Sequence, residues 1–257
     1  MITVVIPARM ASSRYPGKPL ASILGLPMVE HVRRRALLAQ GVDLVAVATC
    51  DESIKETVEG CGGCAVMTKN THERCTDRVE EAMQRLPGEI VAMVQGDEPL
   101  LIPDAISQVV QPLIDDSTLD VVNLLSPLES PDDYANPNIV KAVCDRRGNV
   151  IYLTRAPVPF FRQRIEVPVY RQTGIMAFRT TFLPRFSALP ETALEKAESV
   201  DMLRVLEHGI RIGGVVAGYT TLGIDKPGDV ELVESVLRRD HVQHALFESI
   251  MQLGGAQ

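Results

Sequence analysis

Apolar and polar positions along this chain alternate between two kinds of segment. Short unbroken apolar runs at 2–6, 44–49, 65–68 and 90–94 have the pattern of strands covered on both faces, as in a parallel sheet. Between them lie stretches with helical spacing. Residues 27–39 set Met28, Val29, Val32, Leu37 and Leu38 among charges, and 52–61 and 77–85 follow the second and third runs. Pro7 is expected to end the first strand, and the polar segment 69–76 reads as a loop. A helix after Pro103 to about Ile114 and a strand at 121–125 continue the series. Strand–helix alternation of this kind predicts an α/β fold with a mostly parallel sheet and right-handed crossovers.

The pattern then changes. Pro127, Pro131 and Pro137 precede short apolar runs at 139–144, 150–153 and 174–178, with Arg147-Gly148 suited to a hairpin turn. These predict a small antiparallel extension at about 127–190. The helical pattern resumes over 195–208, stopped by Gly209, and is followed by a strand at 212–216 and a last helix from 229 to at least 238. The 257 residues are therefore read as a single domain, 1–257, carrying that extension.

Composition narrows the function classes. A net charge of -7 disfavours non-specific nucleic-acid binding, which needs a basic face. No apolar run approaches the ~20 residues of a membrane span, and no signal peptide precedes the first strand, so a cytoplasmic protein is expected. The odd set Cys50, Cys61, Cys64, Cys75 and Cys144 suits reduced thiols. Cys61-Gly62-Gly63-Cys64 lacks a second pair or histidines at zinc spacing, and reads as a turn between helix and strand.

Against this acidic background the loop after the first strand stands out. Arg9, Arg14 and Lys18 lie close together beyond a strand's carboxyl end, where open α/β sheets bind ligands. Small residues between them allow backbone N–H groups to approach a polyanion while the cations neutralise it. The loop reads as a triphosphate cradle, with a solvated surface turn as the alternative. It is neither a Walker loop nor a G-x-G-x-x-G turn. Asp97, directly after the 90–94 run, and Asp225 could together hold a Mg²⁺ ion over the reacting phosphate. The alternative for Asp225 is an N-cap of the last helix.

Several longer motifs carry a resemblance. Ile6-Pro7-Ala8-Arg9 through Gly17-Lys18-Pro19-Leu20, Val94-Gln95-Gly96-Asp97-Glu98-Pro99, Asn136-Pro137-Asn138-Ile139-Val140-Lys141, Tyr152-Leu153-Thr154-Arg155-Ala156, Leu203-Arg204-Val205-Leu206-Glu207-His208-Gly209 and Gly223-Ile224-Asp225-Lys226-Pro227 follow in uninterrupted order. Over about residues 2–237 the chain resembles the sugar-acid cytidylyltransferases, and among them the 3-deoxy-manno-octulosonate (Kdo) branch. The resemblance implies a Rossmann-like nucleotidyltransferase fold, a homodimer, and a Mg²⁺-dependent reaction. That reaction joins CTP and a 2-keto-3-deoxy sugar acid into a CMP-sugar and pyrophosphate, a step of lipopolysaccharide biosynthesis. It further implies that Arg9, Arg14 and Lys18 hold the triphosphate. Ala8, Ser13, Arg74, Thr76 and Gln95 would line the nucleotide site, and Asp97 and Asp225 would bind the metal. Asn138, Lys141, Arg155, Gln172 and Met202 would face the sugar acid, and the extension would serve substrate binding and dimerisation.

The chain also departs from that family's pattern. It reads Gln172-Thr173-Gly174 where the Kdo enzymes read His-Leu-Gly, Asp201-Met202-Leu203-Arg204 for Glu-Gln-Leu-Arg, and Arg74-Cys75-Thr76 for Ser-Gly-Thr. Kdo is the first expectation for the acid. An amino-Kdo, a nonulosonic acid or a phosphonate-type acid is the second, and a non-catalytic nucleotide-binding protein the third. No dedicated histidine base is expected, because positioning and cations supply most of the acceleration in such a transfer. Among the histidines only His72, in the polar loop, merits a test as one.

Overall fold

The computed structural model describes residues 1–11, 14–128, 130–163, 167–219 and 222–253. The chain divides into two compact units, Met1–Ser107 with Thr221–Gln257, and Gln108–Thr220.

The first unit opens with β1 (Ile2–Ala8), a hairpin of β2 (Ser22–Ile23) and β3 (Leu26–Pro27), and helix α1 (Met28–Leu37). Then come β4 (Leu44–Thr49), α2 (Glu52–Gly60), β5 (Cys64–Met67), α3 (Cys75–Met83) and β6 (Ile90–Val94). The strands pair in the order β5-β4-β1-β6, all parallel, as their uninterrupted apolar runs require. β1 runs two residues beyond the expected stop, because its ladder with β6 ends at Val5 while that with β4 continues to Ala8. Pro7 thus lies where β1 has a ladder on one side only, so its missing N–H is tolerated. The hairpin was not legible from alternation, because each arm has only two residues. Its turn, Leu24-Gly25, holds Leu24 in the left-handed region at φ 47°.

Helix α4 (Asp104–Asp115) runs across the boundary between the units, and the second unit continues with β7 (Val121–Pro127), α5 (Pro131–Ala135), β8 (Lys141–Cys144), β9 (Asn149–Thr154) and β10 (Tyr170–Arg179). It ends with α6 (Leu183–Ala188), α7 (Ala193–Glu198), α8 (Met202–Glu207) and β11 (Ile212–Val216). The strand order is β10-β7-β11-β9-β8, and β10 also pairs with β8, so these pairings close on themselves. Only β11–β7 is parallel here. The expectation of a mostly parallel sheet therefore gives way to a mixed arrangement, parallel in the first unit and predominantly antiparallel in the second. The single helix expected over 195–208 is two: Ser199 adopts φ 53°, and the reversal lets Arg204 pair bidentately with buried Glu195 at 2.6 and 2.7 Å.

The chain then returns to the first unit through α9 (Asp229–Arg239) and α10 (His241–Gln252). α10 was not expected, and it changes α1. The polar side of α1 is buried, with Glu30 held by Arg33 at 2.6 and 2.7 Å and by Arg34 at 2.9 Å. Arg34 also donates to the Ile250 carbonyl of α10 at 3.1 Å. His31, equally buried, stacks on Phe247 of α10, and its ring Nε2–H donates to the Ile23 carbonyl at 2.8 Å. Ile23, Met28, Ile224, Val233 and Leu237 form a core cluster that ties the hairpin, α1 and α9 together.

Candidate active site

The loop after β1 is closed by its own backbone. Gly17 sits at φ 77°, a conformation in which glycine avoids the Cβ penalty. Its N–H donates to the Met10 carbonyl at 3.0 Å. The Met10 N–H is in turn held by the Asp51 carboxylate, beyond β4, at 2.8 Å. Lys18 then starts a short 3-10 turn. Its Nζ donates to Asp97 Oδ2 and to the Ile224 carbonyl, both at 2.7 Å. Arg14 Nη2 donates to Asp225 Oδ1 at 2.8 Å. The segment carrying Asp225 is stitched to that carrying Asp97, since the Ile224 N–H donates to the Asp97 carbonyl at 3.0 Å. Gly96 lets this segment lie against β1: a Cβ there would come within 3.1 Å of the Pro7 carbonyl oxygen.

Two carboxylates and two cations, far apart in sequence, therefore face one another at one place. Asp225 does not cap α9: the cap position is Gly228, with no side-chain bond, and Asp229 Oδ2 instead accepts from the N–H groups of Asp225 and Lys226 at 2.8 and 2.9 Å. The Arg14–Asp225 pair is open to solvent, with side chains 58% and 46% exposed, whereas Lys18 and Asp97 are more enclosed, at 13% and 28%. A pair as exposed as Arg14–Asp225 contributes little stability, so a phosphate can replace its carboxylate around Arg14 at small cost.

Beside them is a hollow of about 240 Å³, lined among others by Ala8, Arg9, Arg14, Lys18, Gln95 and Asp97. A smaller one of about 50 Å³ is bounded by Ala8, Arg9, His72, Arg74 and Arg78. Arg9 is exposed and has no ion-pair partner among the described residues. Thr76 is fully buried near the start of α3, and Ser13 lies outside the described residues. Two contributors were missed from the sequence. Asp51 shapes the cradle loop, and its place at a strand's carboxyl end, like that of Asp97, was the available signal. Cys75 lines both hollows, and only its position beside Arg74 hinted at this.

His72 is already committed. Its Nε2 meets Glu81, which also accepts from the Lys69 N–H at 3.0 Å. Burial pushes the Glu81 carboxyl up, but the bonds from His72 and Lys69 outweigh it and hold the carboxyl below its ordinary range. The five cysteines are unpaired, and among the described residues no group of three or more His, Cys, Asp or Glu could hold a metal. No helix among the described residues is long and apolar enough to cross a membrane.

The residues expected to face the acid lie in the second unit and differ in character. Lys141 is fully buried, and its Nζ donates to the carbonyls of Asn136, Ile139 and Arg155 at 2.6, 2.9 and 2.8 Å. Burial, with Arg155 nearby, pushes its ammonium below the ordinary lysine range. As placed it holds the 136–141 loop rather than facing a ligand. Met202 is likewise fully buried, a core side chain at the start of α8. Asn138 is exposed. Arg155 is braced by the Glu198 carbonyl on Nε at 2.7 Å and by the Pro137 and Asn138 carbonyls on Nη1 at 3.1 and 3.3 Å. Its Nη2 has no partner among the described residues. Gln172 donates through Nε2 to Asn123 Oδ1 at 2.7 Å.

A parallel α/β unit with cations and carboxylates gathered beyond its strand ends is suited to holding the phosphates of a nucleotide, and likeness to known proteins places the chain among the nucleotidyltransferases. The chain matches the cytidylyltransferase family model over residues 3–212. It is 42% identical over 240 residues to a 3-deoxy-manno-octulosonate cytidylyltransferase of Pelobacter propionicus, covering 89% of this chain and 94% of that one. It is 41% identical over 248 residues to that of Geobacter sulfurreducens, covering 92% and 99%. The structure of a CMP:2-keto-3-deoxy-manno-octonic acid synthetase complexed with CTP superposes with a TM-score of 0.89 at 38% identity, covering 93% of this chain and 99% of that one. A 4-diphosphocytidyl-2C-methyl-D-erythritol synthase from Anaerococcus prevotii, at TM-score 0.64 and 15% identity over 93% and 98% of the two chains, shares the fold alone. The chain belongs to the cytidylyltransferase family, among its 3-deoxy-manno-octulosonate cytidylyltransferases.

Proposed function

We propose that this protein condenses CTP with Kdo, giving CMP-Kdo and pyrophosphate. The observation that carries the reading is the pairing of Lys18 with Asp97 and of Arg14 with Asp225 beside a hollow that also holds Arg9 and Gln95. In this reading Arg9, Arg14 and Lys18 take the triphosphate oxygens, leaving Asp97 and Asp225 to turn toward a divalent cation. Ala8, Ser13, Arg74 and Gln95 border the nucleotide, and Thr76 supports them from beneath. The donor set fits Mg²⁺. That ion uses one or two carboxylates and completes its shell with phosphate oxygens and water, and cationic groups already occupy both carboxylates. When bound, the ion supplies neutralisation at the α-phosphate and a lowered pKa for the attacking hydroxyl.

The chain's own residues do the rest by placement. Lys18 and Arg14 draw charge away from the departing pyrophosphate, and the acid's anomeric hydroxyl is oriented toward the α-phosphorus opposite that leaving group. Arg155, held on three carbonyls, offers Nη2 to the acid's carboxylate, with Asn138 and Gln172 beside it. Lys141 and Met202 shape that region from inside. We further propose that the chain works as one nucleotidyltransferase domain in the cytoplasm, as a homodimer whose contacts lie in the 127–190 extension. Pyrophosphate release with Mg²⁺, crossing CTP, UTP and ATP against a panel of sugar acids, tests this. Release with CTP and Kdo is expected. Release only with another acid would reassign the acceptor, and no release with any pair would overturn the reading.

A further inference from the structure

Between Gln172 and Met176 the register of β10 against β7 shifts. Bulges of this kind re-aim side chains and recur beside active sites. Under this one lies Asn123, with no exposed surface. Its Nδ2 donates to the Leu124 and Ile175 carbonyls at 3.0 and 3.3 Å. Thr173 Oγ1 also donates to the Leu124 carbonyl, at 2.8 Å. Two carbonyl oxygens beside one end of the Asn123 amide decide its orientation, because only the NH₂ group can sit between them. Oδ1 must then face Gln172, and the atom 2.7 Å from it can only be the Gln172 nitrogen. Gln172 is part-exposed, and with Nε2 turned to Asn123 its Oε1 is left with no donor among the described residues.

We infer that Asn123 is a positioning residue for acceptor specificity. It locks the Gln172 amide so that Oε1, an obligate hydrogen-bond acceptor, meets a hydroxyl or amine of the sugar acid. This rests on the proposed function, in which Gln172 belongs to the acid's site. A histidine at position 172 can offer either a donor or an acceptor, according to tautomer and charge; the locked amide has one polarity. The site therefore selects an acid bearing a donor at the contacted position and rejects its deoxy analogue, since the amide oxygen would be desolvated without a partner.

The test is steady-state pyrophosphate release with CTP and Kdo, repeated with singly deoxygenated Kdo analogues and with an amino-substituted one. In the unaltered protein one deoxy analogue is expected to show a KM raised about tenfold, with the amino analogue retained if its nitrogen replaces that hydroxyl. Gln172→Leu is expected to raise the Kdo KM about tenfold and to abolish the penalty on that analogue, leaving the CTP KM and kcat within about twofold. Asn123→Leu is expected to reproduce most of this shift, and the double variant to add nothing further, because the two side chains act through one bond. A fall in kcat and a rise in CTP KM alongside the acid KM in either variant would show a structural role and overturn the inference. Additive effects would also overturn it. Should Asn123→Leu fail to fold, Gln172→Leu still decides, since an unchanged Kdo KM there refutes the contact. Absence of turnover in the unaltered protein would instead refute the underlying function.

Discussion

Two sets of charged side chains, one in each unit, serve opposite purposes. In the first, Arg14, Lys18, Asp97 and Asp225 meet in part-exposed pairs that a nucleotide can exchange for its own oxygens. In the second, Lys141 is spent entirely on three carbonyls and Arg155 largely so. A phosphate site needs cations whose existing partners are easily displaced. A loop-shaping cation instead needs partners it never leaves, and backbone carbonyls inside the protein are such partners. Charge alone does not separate these roles, but accessibility and partner type do.

That contrast can be broken by substitution. Asp97→Asn should cut kcat by about 10²–10³-fold with the melting temperature nearly unchanged, as read by pyrophosphate release and thermal denaturation. Near-normal turnover would remove Asp97 from the chemistry. Lys141→Ala should do the reverse, costing about 3 kcal/mol of stability through unpartnered carbonyls, read by denaturant unfolding. A stable variant with only the acid KM raised would return Lys141 to the substrate.

A titration inside the first unit sharpens the point, because it is buried and unrelated to catalysis. Burial, helped by Arg35 and Arg34, lowers the pKa of His31 from 6.5 to about 4. The unfolded chain therefore takes up this proton first as pH falls. The contribution of His31 is complete above about pH 6.5 and is lost progressively toward pH 4, by up to about 3 kcal/mol. Unfolding free energy measured across that window should slope accordingly, and His31→Gln should flatten the slope. The smallest effect is expected for Arg14→Ala: with its exposed pair, a several-fold rise in CTP KM and no detectable loss of stability.

Much of this was legible before any coordinates. The runs at 44–49 and 90–94 became β4 and β6 at those residues, because a strand buried on both faces has no polar position to blur its ends. The cradle loop and Asp97 stood out because they follow such strands directly. Features that depend on distant partners were not legible. The α10 helix turns the polar side of α1 inward, and no local periodicity announces that. The break at Ser199 goes with a bond between Arg204 and Glu195, nine residues apart. Met202 and Lys141 carry ligand-binding side chains by analogy, yet packing buries both.

The sequence by itself thus determined the α/β class, the parallel core strands, the family, and the candidate cations and carboxylates, because hydrophobic period and motif order are local properties of a chain. Only the tertiary structure decided which charges are free to meet a phosphate and which are locked on carbonyls. It alone set the orientation of the Asn123–Gln172 amides. Partner choice depends on residues brought together across 49 positions of sequence at that pair and 211 at Arg14–Asp225, and spacing along a chain carries no record of it.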